Sequence, residues 1–330
     1  MPRRLLQLPI VAARRTDRIS IAAPDDFTCG RAQSLQARPV GAFPYCLDFV
    51  RARAIYVQDL DVGEVQAAPF YYLHLRRRAR SLVSVPLEFG PLSDSANMKA
   101  PIFLYSPGRC GSTLLSRILF EARIACVSEV DFYTQMTTPF WSDPHNPLRK
   151  LFCRAMWNMT RDLVATLGTS HAPIVKLRAE SCYAPELLLP NTDGRPRTLV
   201  MFRRFESWAR STCRTFGANA GKAVEKYMLA LKCYEFLQAH SDCHVVRYED
   251  LLSNPQETCT ALGCFLGLPI GGEAIVRAGE RDAQEGTPLG RGVGRQRAGW
   301  EAKFDATMRL WHSQRVVHAR DSLGIQNVWA

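Results

Sequence analysis

The residues best suited to chemistry lie in one short stretch, Ile102-Phe-Leu-Tyr-Ser-Pro-Gly-Arg-Cys-Gly-Ser-Thr-Leu-Leu115. An apolar run of strand type enters a Pro/Gly turn, and a helical segment then begins with Ser112 and Thr113. Such a turn leaves backbone N–H groups converging at the positive end of a helix, which is an anion site. Arg109 adds a fixed charge with a planar fork of donors, and the two hydroxyls add short donors. The stretch therefore reads as a phosphate loop drawn from Arg109, Cys110, Gly111, Ser112 and Thr113. It is not Gly-x-x-x-x-Gly-Lys-Ser/Thr, because Gly111 stands directly before Ser112 where the lysine belongs. Ordinary ATP or GTP hydrolysis is disfavoured on that ground, and a divergent P-loop kinase or NTPase is the alternative enzyme reading.

With one extra residue and a Cys for the usual Ser, Pro107-Gly-Arg-Cys-Gly-Ser-Thr113 resembles the Pro-Lys/Arg-Ser-Gly-Thr-Thr type loop of the sulfotransferases. Those enzymes use 3'-phosphoadenosine 5'-phosphosulfate (PAPS), and the loop holds its 5'-phosphosulfate. The family also carries an Arg at the end of a later strand and a Ser eight residues on, which hold the 3'-phosphate. Thr198-Leu-Val-Met-Phe-Arg203 and Ser211 match that pattern here. Val245-Val-Arg-Tyr-Glu-Asp-Leu-Leu-Ser-Asn-Pro255 is similar to the family's strand-Tyr-Glu-Asp-Leu segment, and Glu249 and Asp250 are read as structural or capping. The family's basic, Gly-rich cofactor loop before a Trp is echoed by Arg291-Gly-Val-Gly-Arg-Gln-Arg-Ala-Gly-Trp300, in altered order. Arg291, Arg295 and Arg297 are cofactor candidates on that echo, beside the plainer reading of a basic surface loop. The resemblance spans roughly Ala100 to Trp300.

Sulfuryl transfer needs a positioned donor, a cation on the developing charge and a base for the acceptor proton. Cytosolic small-molecule members place a His in a Lys-x-His pattern, but Val175-Lys-Leu-Arg178 puts an Arg there, and Arg cannot serve as a base near pH 7. In the tyrosylprotein-type and several bacterial and carbohydrate members a Glu after the first helix does this work. Glu129 in Ser128-Glu-Val-Asp131 has that position, twenty residues beyond Arg109. The resemblance thus implies Glu129 as base, Asp131 in reserve, Lys176 on the transferred sulfonate and Arg109 on the bridging oxygen. The plainer alternatives are a capping or salt-bridged carboxylate for Glu129 and a buried ion pair for Lys176.

These residues need elements to position them, and short apolar runs alternating with helical segments imply parallel strands joined by helices. Strands are expected at 101–105, 173–177, 198–202 and 244–247, and helices at 112–122, 205–215, 222–238 and 255–266. The expected fold class is α/β, a parallel central sheet flanked by helices with an amino-terminal extension, and the resemblance implies the P-loop-like sulfotransferase arrangement for it. The polar stretch from Phe89 to Lys99 marks the boundary, giving 1–98 as an extension of unknown role and 99–330 as the sulfotransferase domain. Within the extension a strand is expected at 54–60 and a basic helix at 69–82 opened by Pro69. The apolar segment 132–167, rich in Phe, Trp and Met, reads as a core helix or as the wall of an acceptor pocket.

Lys+Arg 42 against Asp+Glu 31 leaves a net charge of +11, which points to an anionic partner without choosing one. The run Arg76-Arg77-Arg78 reads as a solvated helix face, and nucleic acid is not expected. A non-catalytic binder of an acidic polymer is the third reading, which salt-sensitive binding without PAPS affinity would favour. Eleven cysteines with no Cys-x-x-Cys pair fit reduced cytoplasmic thiols better than a disulfide framework or a zinc site. Seven histidines show no metal-ligand spacing, and no metal is implied. The apolar patch Leu5 to Ala13 is broken by Pro9 and lacks a clear cleavage site, and no apolar run reaches the roughly 18 residues of a membrane helix. The reading is a cytoplasmic PAPS-dependent enzyme whose hydroxyl acceptor is a small molecule, sugar, lipid or peptide tyrosine.

Overall fold

The computed structural model describes residues 4–36, 39–92, 99–137, 145–189, 194–280, 282–290 and 297–323. The chain divides into two compact units, residues 1–102 with 124–177 and residues 103–123 with 178–330. The polar stretch 89–99 falls within the first of these.

The amino-terminal strands are β1 (Leu6–Ala13), β2 (Phe27–Cys29), β3 (Gln33–Ser34), β4 (Phe43–Asp48), β5 (Arg53–Val57) and β6 (Ser81–Pro86). They form an antiparallel sheet of order β2-β1-β6-β5-β4, with β3 on β1. Every residue of β4, β5 and β6 is buried, which explains why these segments show little apolar/polar alternation. The apolar patch from Leu5 to Ala13 is thus strand material. Five further strands are parallel in the order β11-β10-β7-β9-β8: β7 (Ile102–Tyr105), β8 (Cys126–Ser128), β9 (Ile174–Lys176), β10 (Arg197–Phe202) and β11 (Asp242–Arg247).

The first helices are α1 (Val62–Ala67), α2 (Tyr71–Arg78), α3 (Ser112–Glu121), α4 (Asp131–Met136) and α5 (Arg149–Leu167). The basic helix expected at 69–82 is shorter than that. It runs from Tyr71 to Arg78, with Pro69 before its first turn, and Ser81-Leu-Val-Ser-Val-Pro86, with its β-branched residues, joins the sheet as β6. Arg76 also departs from the solvated face expected of the Arg run. It is fully buried, 2.9 Å from the equally buried Asp26, and its guanidinium donates to the carbonyls of Arg15, Arg18 and Ser20. Helix α4 is fastened to the sheet by Gln135, whose Oε1 accepts from Leu47 N at 2.8 Å while Nε2 donates to Leu47 O at 3.1 Å. The apolar segment 132–167 divides between α4 and α5, with 138–144 outside the described residues.

The remaining helices are α6 (Phe205–Phe216), α7 (Ala220–His240), α8 (Tyr248–Ser253), α9 (Pro255–Leu266), α10 (Gly272–Gly279), α11 (Trp300–Trp311) and α12 (Gln314–Asp321). In the second unit β10 runs in register with β11 from Arg197↔Asp242 to Phe202↔Arg247, and β7 flanks its other side. Beside these strands sits an aromatic cluster. Phe205 stacks on Trp311 with ring centres 3.8 Å apart, and Tyr227 lies 5.1 Å from Phe205 and 5.0 Å from Trp208.

Candidate active site

The phosphate loop joins the end of β7 to α3. Its course is set by three left-handed residues: Gly108 at φ 75°, Arg109 at φ 56° and Gly111 at φ 82°. A non-glycine residue in that region is uncommon and tends to mark a functional turn. Gly111 is the N-cap of α3 and makes no side-chain cap bond, an arrangement that suits an anion at the first-turn amides. The loop is held from behind by Trp208, whose Nε1–H donates to Gly108 O at 2.7 Å.

In front of the loop lies a cavity of about 700 Å³ within the second unit. Its walls include Arg109, Gly111, Ser112 and Thr113 from the loop, Arg203 at the end of β10, and Arg210, Ser211 and Arg214 on α6. Asp282 is the single acidic residue among the described lining residues, so four guanidiniums face one carboxylate. Burial pushes the Arg109 guanidinium below its ordinary value, and the like charge of Arg203 pushes the same way. An anion in the cavity would offset both effects.

The sequence reading grouped Arg203 with Ser211, and the two do share this cavity. Their hydrogen bonds are distributed otherwise. Arg109 Nε donates to Ser211 Oγ at 3.2 Å, and Arg109 Nη1 donates to Gln284 Oε1 at 3.3 Å. Arg203 Nε donates to Ser207 Oγ at 3.1 Å, its guanidinium lies 4.6 Å from the centre of the Tyr248 ring, and Tyr227 OH donates to its carbonyl at 2.7 Å. Glu249 acts as the cap its position suggested, with Oε1 accepting from Arg204 N at 3.1 Å and from Ser207 Oγ at 3.2 Å at the start of α6. The Cys110 side chain is fully buried and turned from the cavity, with Sγ donating to Gly108 O at 3.3 Å. Burial pushes its thiol well above the ordinary cysteine value, so it is an inert packing group. Arg297 meets the carboxyl end of α6, donating its N–H to Arg214 O at 3.1 Å, while Arg291 and Arg295 lie outside the described residues. Sequence reasoning missed Arg210, Arg214, Gln284 and Asp282. The first two sit on the exposed turns of α6, where a basic residue has no distinguishing pattern.

Glu129 and Lys176 belong to the first unit and meet there. Lys176 Nζ donates to Glu129 Oε1 at 3.1 Å; the lysine side chain is 3% exposed and the glutamate 16%. Glu129 directly follows β8 in the left-handed region, at φ 61°, and its N–H donates to Lys176 O at 2.7 Å. Asp131 is fully buried, and its carboxylate accepts a structural bond from Ala22 N at 2.7 Å.

No family model matches the chain, and no curated protein matches it at a significant level. Among solved structures it is similar to the sulfotransferase domain of the olefin synthase of Synechococcus PCC 7002, at 14% identity over 72% of this chain and 99% of the other, TM-score 0.44. It is similar as well to the sulfotransferase STF1 of Mycobacterium tuberculosis H37Rv, at 14% identity over 68% and 77%, TM-score 0.43. A third is retinol dehydratase in a complex with retinol and PAP, at 14% identity over 71% and 84%, TM-score 0.39. Fold and site together place a glycine-opened loop at the carboxyl end of a strand of the parallel sheet, beside a cavity lined by four arginines. Among the described residues no helix is long and apolar enough to cross a membrane.

Proposed function

We propose that the chain is a PAPS-dependent sulfotransferase that moves the sulfuryl group to a hydroxyl acceptor. The observation that carries this reading is the convergence of Arg109 and Arg203 with Ser112, Thr113 and Ser211 on one cavity beside a left-handed, glycine-opened helix terminus. Such a cavity suits a ligand with two separated phosphate groups. In the reaction the acceptor oxygen attacks sulfur, the bond from sulfur to the 5'-phosphate oxygen breaks, and 3',5'-ADP leaves. The acceptor proton passes to Glu129.

In this scheme the loop with Ser112 and Thr113 holds the 5'-phosphosulfate, and Arg203 and Ser211 hold the 3'-phosphate, assisted by Arg295 and Arg297. Arg109 balances charge on the leaving oxygen, and Lys176 acts on the transferred sulfonate. The bond from Arg109 to Ser211 supports a second duty for Arg109 toward the 3'-phosphate. The acceptor is a small alcohol or phenol, a sugar, a lipid or a peptide tyrosine. Eleven cysteines with no Cys-x-x-Cys pair suit a reducing cytoplasm.

Thermal unfolding with 3',5'-ADP, run beside ATP with magnesium, tests the ligand class. A ligand at 100 times its Kd raises stability by about 2.7 kcal/mol. Stabilisation by 3',5'-ADP without metal is expected, and stabilisation by ATP with magnesium alone would assign the loop to a nucleotide enzyme. Glu129→Gln should keep 3',5'-ADP binding and lower turnover of labelled PAPS by about 10²- to 10⁴-fold. Full turnover in that variant would remove Glu129 as base.

A further inference from the structure

We infer that the amino-terminal segment belongs to the catalytic apparatus, because Phe70 fixes the Lys176 ammonium against Glu129. The inference rests on the roles proposed above for that pair. Phe70 is the N-cap residue of α2, 2% exposed, and Lys176 Nζ stands 5.4 Å from the centre of its ring. The ammonium thus has a carboxylate oxygen at 3.1 Å and an aromatic face within cation–π range, at a site from which water is nearly excluded. An aliphatic side chain there would fill the volume and leave the charge without the attraction of the ring quadrupole.

Phe70 is itself held firmly. It stacks on Tyr72 at 6.0 Å with an interplanar angle of 26°, Tyr71 OH donates to Pro44 O at 2.6 Å, and Arg76 pins the same helix to Asp26. Rigidity therefore runs from the antiparallel sheet through α2 to the ring. At the other end, the left-handed Glu129 persists because its backbone is tied to Lys176 O, so both partners of the ion pair have restricted freedom. Phe70 is accordingly a positioning residue. All of these groups lie in the unit that joins residues 1–102 to 124–177.

The test uses the full chain with Phe70→Leu, and with Phe70→Met as a second variant should the first fail to unfold cooperatively. Lysines are reductively methylated with formaldehyde and cyanoborohydride, and Lys176 is followed by peptide mass spectrometry with exposed Lys222 as the internal reference. Lys176 should label about tenfold faster in the variant while Lys222 is unchanged. The kcat for labelled PAPS should fall by about 3- to 30-fold with the KM for PAPS within about twofold. A folded variant with wild-type Lys176 labelling and kcat would overturn the inference. If Lys176 labels faster while neither wild type nor variant turns over PAPS, the positioning stands and the sulfotransferase reading is the one that fails.

Discussion

Gly111→Ala is the sharpest probe of the phosphate loop. A methyl group at this position would lie 2.6 Å from Tyr248 Cε2, closer still to Cδ2, and 3.3 Å from Met201 Cε, at a backbone φ of 82°. The left-handed conformation costs a non-glycine residue about 1–2 kcal/mol, and forcing the ring aside adds the usual overpacking cost of about 1–3 kcal/mol. Together these give a loss of about 2–5 kcal/mol in urea unfolding. The displaced ring is the one beneath the Arg203 guanidinium, so the ligand should feel the change too. Losing a charge-assisted contact from Arg203 is worth about 1.5–3 kcal/mol, roughly a 10- to 100-fold rise in the Kd for 3',5'-ADP. Adding Tyr248→Ala to Gly111→Ala should relieve the steric share and leave the backbone share. A Gly111→Ala protein within about 0.5 kcal/mol of wild type and with unchanged 3',5'-ADP affinity would refute the reasoning.

Three further outcomes are expected. Ser211→Ala removes the acceptor of Arg109 Nε and should raise the Kd for 3',5'-ADP about 2- to 10-fold by calorimetry, whereas unchanged affinity would detach Ser211 from the ligand. Gln135→Leu strands the N–H and C=O of buried Leu47, costing about 1–3 kcal/mol for each group, and an unshifted urea midpoint would show that the clamp contributes nothing. Burial pushes the His74 and His244 imidazoles below their ordinary value, with Glu64 opposing at His74. The unfolded chain then takes up these protons first, so their contribution to stability is full above about pH 6.5 and declines as pH falls below it. The fall in unfolding midpoint from pH 7.5 to 5.5 should be smaller in His74→Gln/His244→Gln than in wild type, and equal slopes would count against it.

Four of the five parallel strands, β7, β9, β10 and β11, were legible because each is a short apolar run ending in a turn signal, and helices α3, α6, α7 and α9 were legible with them. Helix 255–266 carries Asn254-Pro255 at its start and Gly267 at its end, and the structure places it there residue for residue. Strand β8 was not legible, since Cys126-Val-Ser128 is three residues long and differs little from a loop in composition. Of the amino-terminal sheet only one strand was seen, expected at 54–60 and found at Arg53–Val57. Its other buried strands include Phe43-Pro-Tyr-Cys-Leu-Asp48, in which a proline argues against a strand until the β-bulge at Pro44 to Cys46 is known. Within the cavity, spacing located Arg203 and Ser211 but not their hydrogen bonds, because side-chain direction is settled by tertiary neighbours such as Ser207 and Tyr248. Residue spacing carried no hint that the Lys176 ammonium would meet the Phe70 ring, a contact spanning 106 positions of sequence.

The bond from the Trp208 indole N–H to the Gly108 carbonyl has an optical consequence. Indole emission responds to the hydrogen bonding and polarity at its nitrogen, and this nitrogen is tied to the phosphate loop itself. Tyr227, with its ring centre 5.0 Å away, is close enough to pass its excitation to Trp208. Any movement of the loop that lengthens the bond is therefore written into the intrinsic fluorescence of the unlabelled protein, giving stopped-flow mixing a direct clock for ligand arrival and departure.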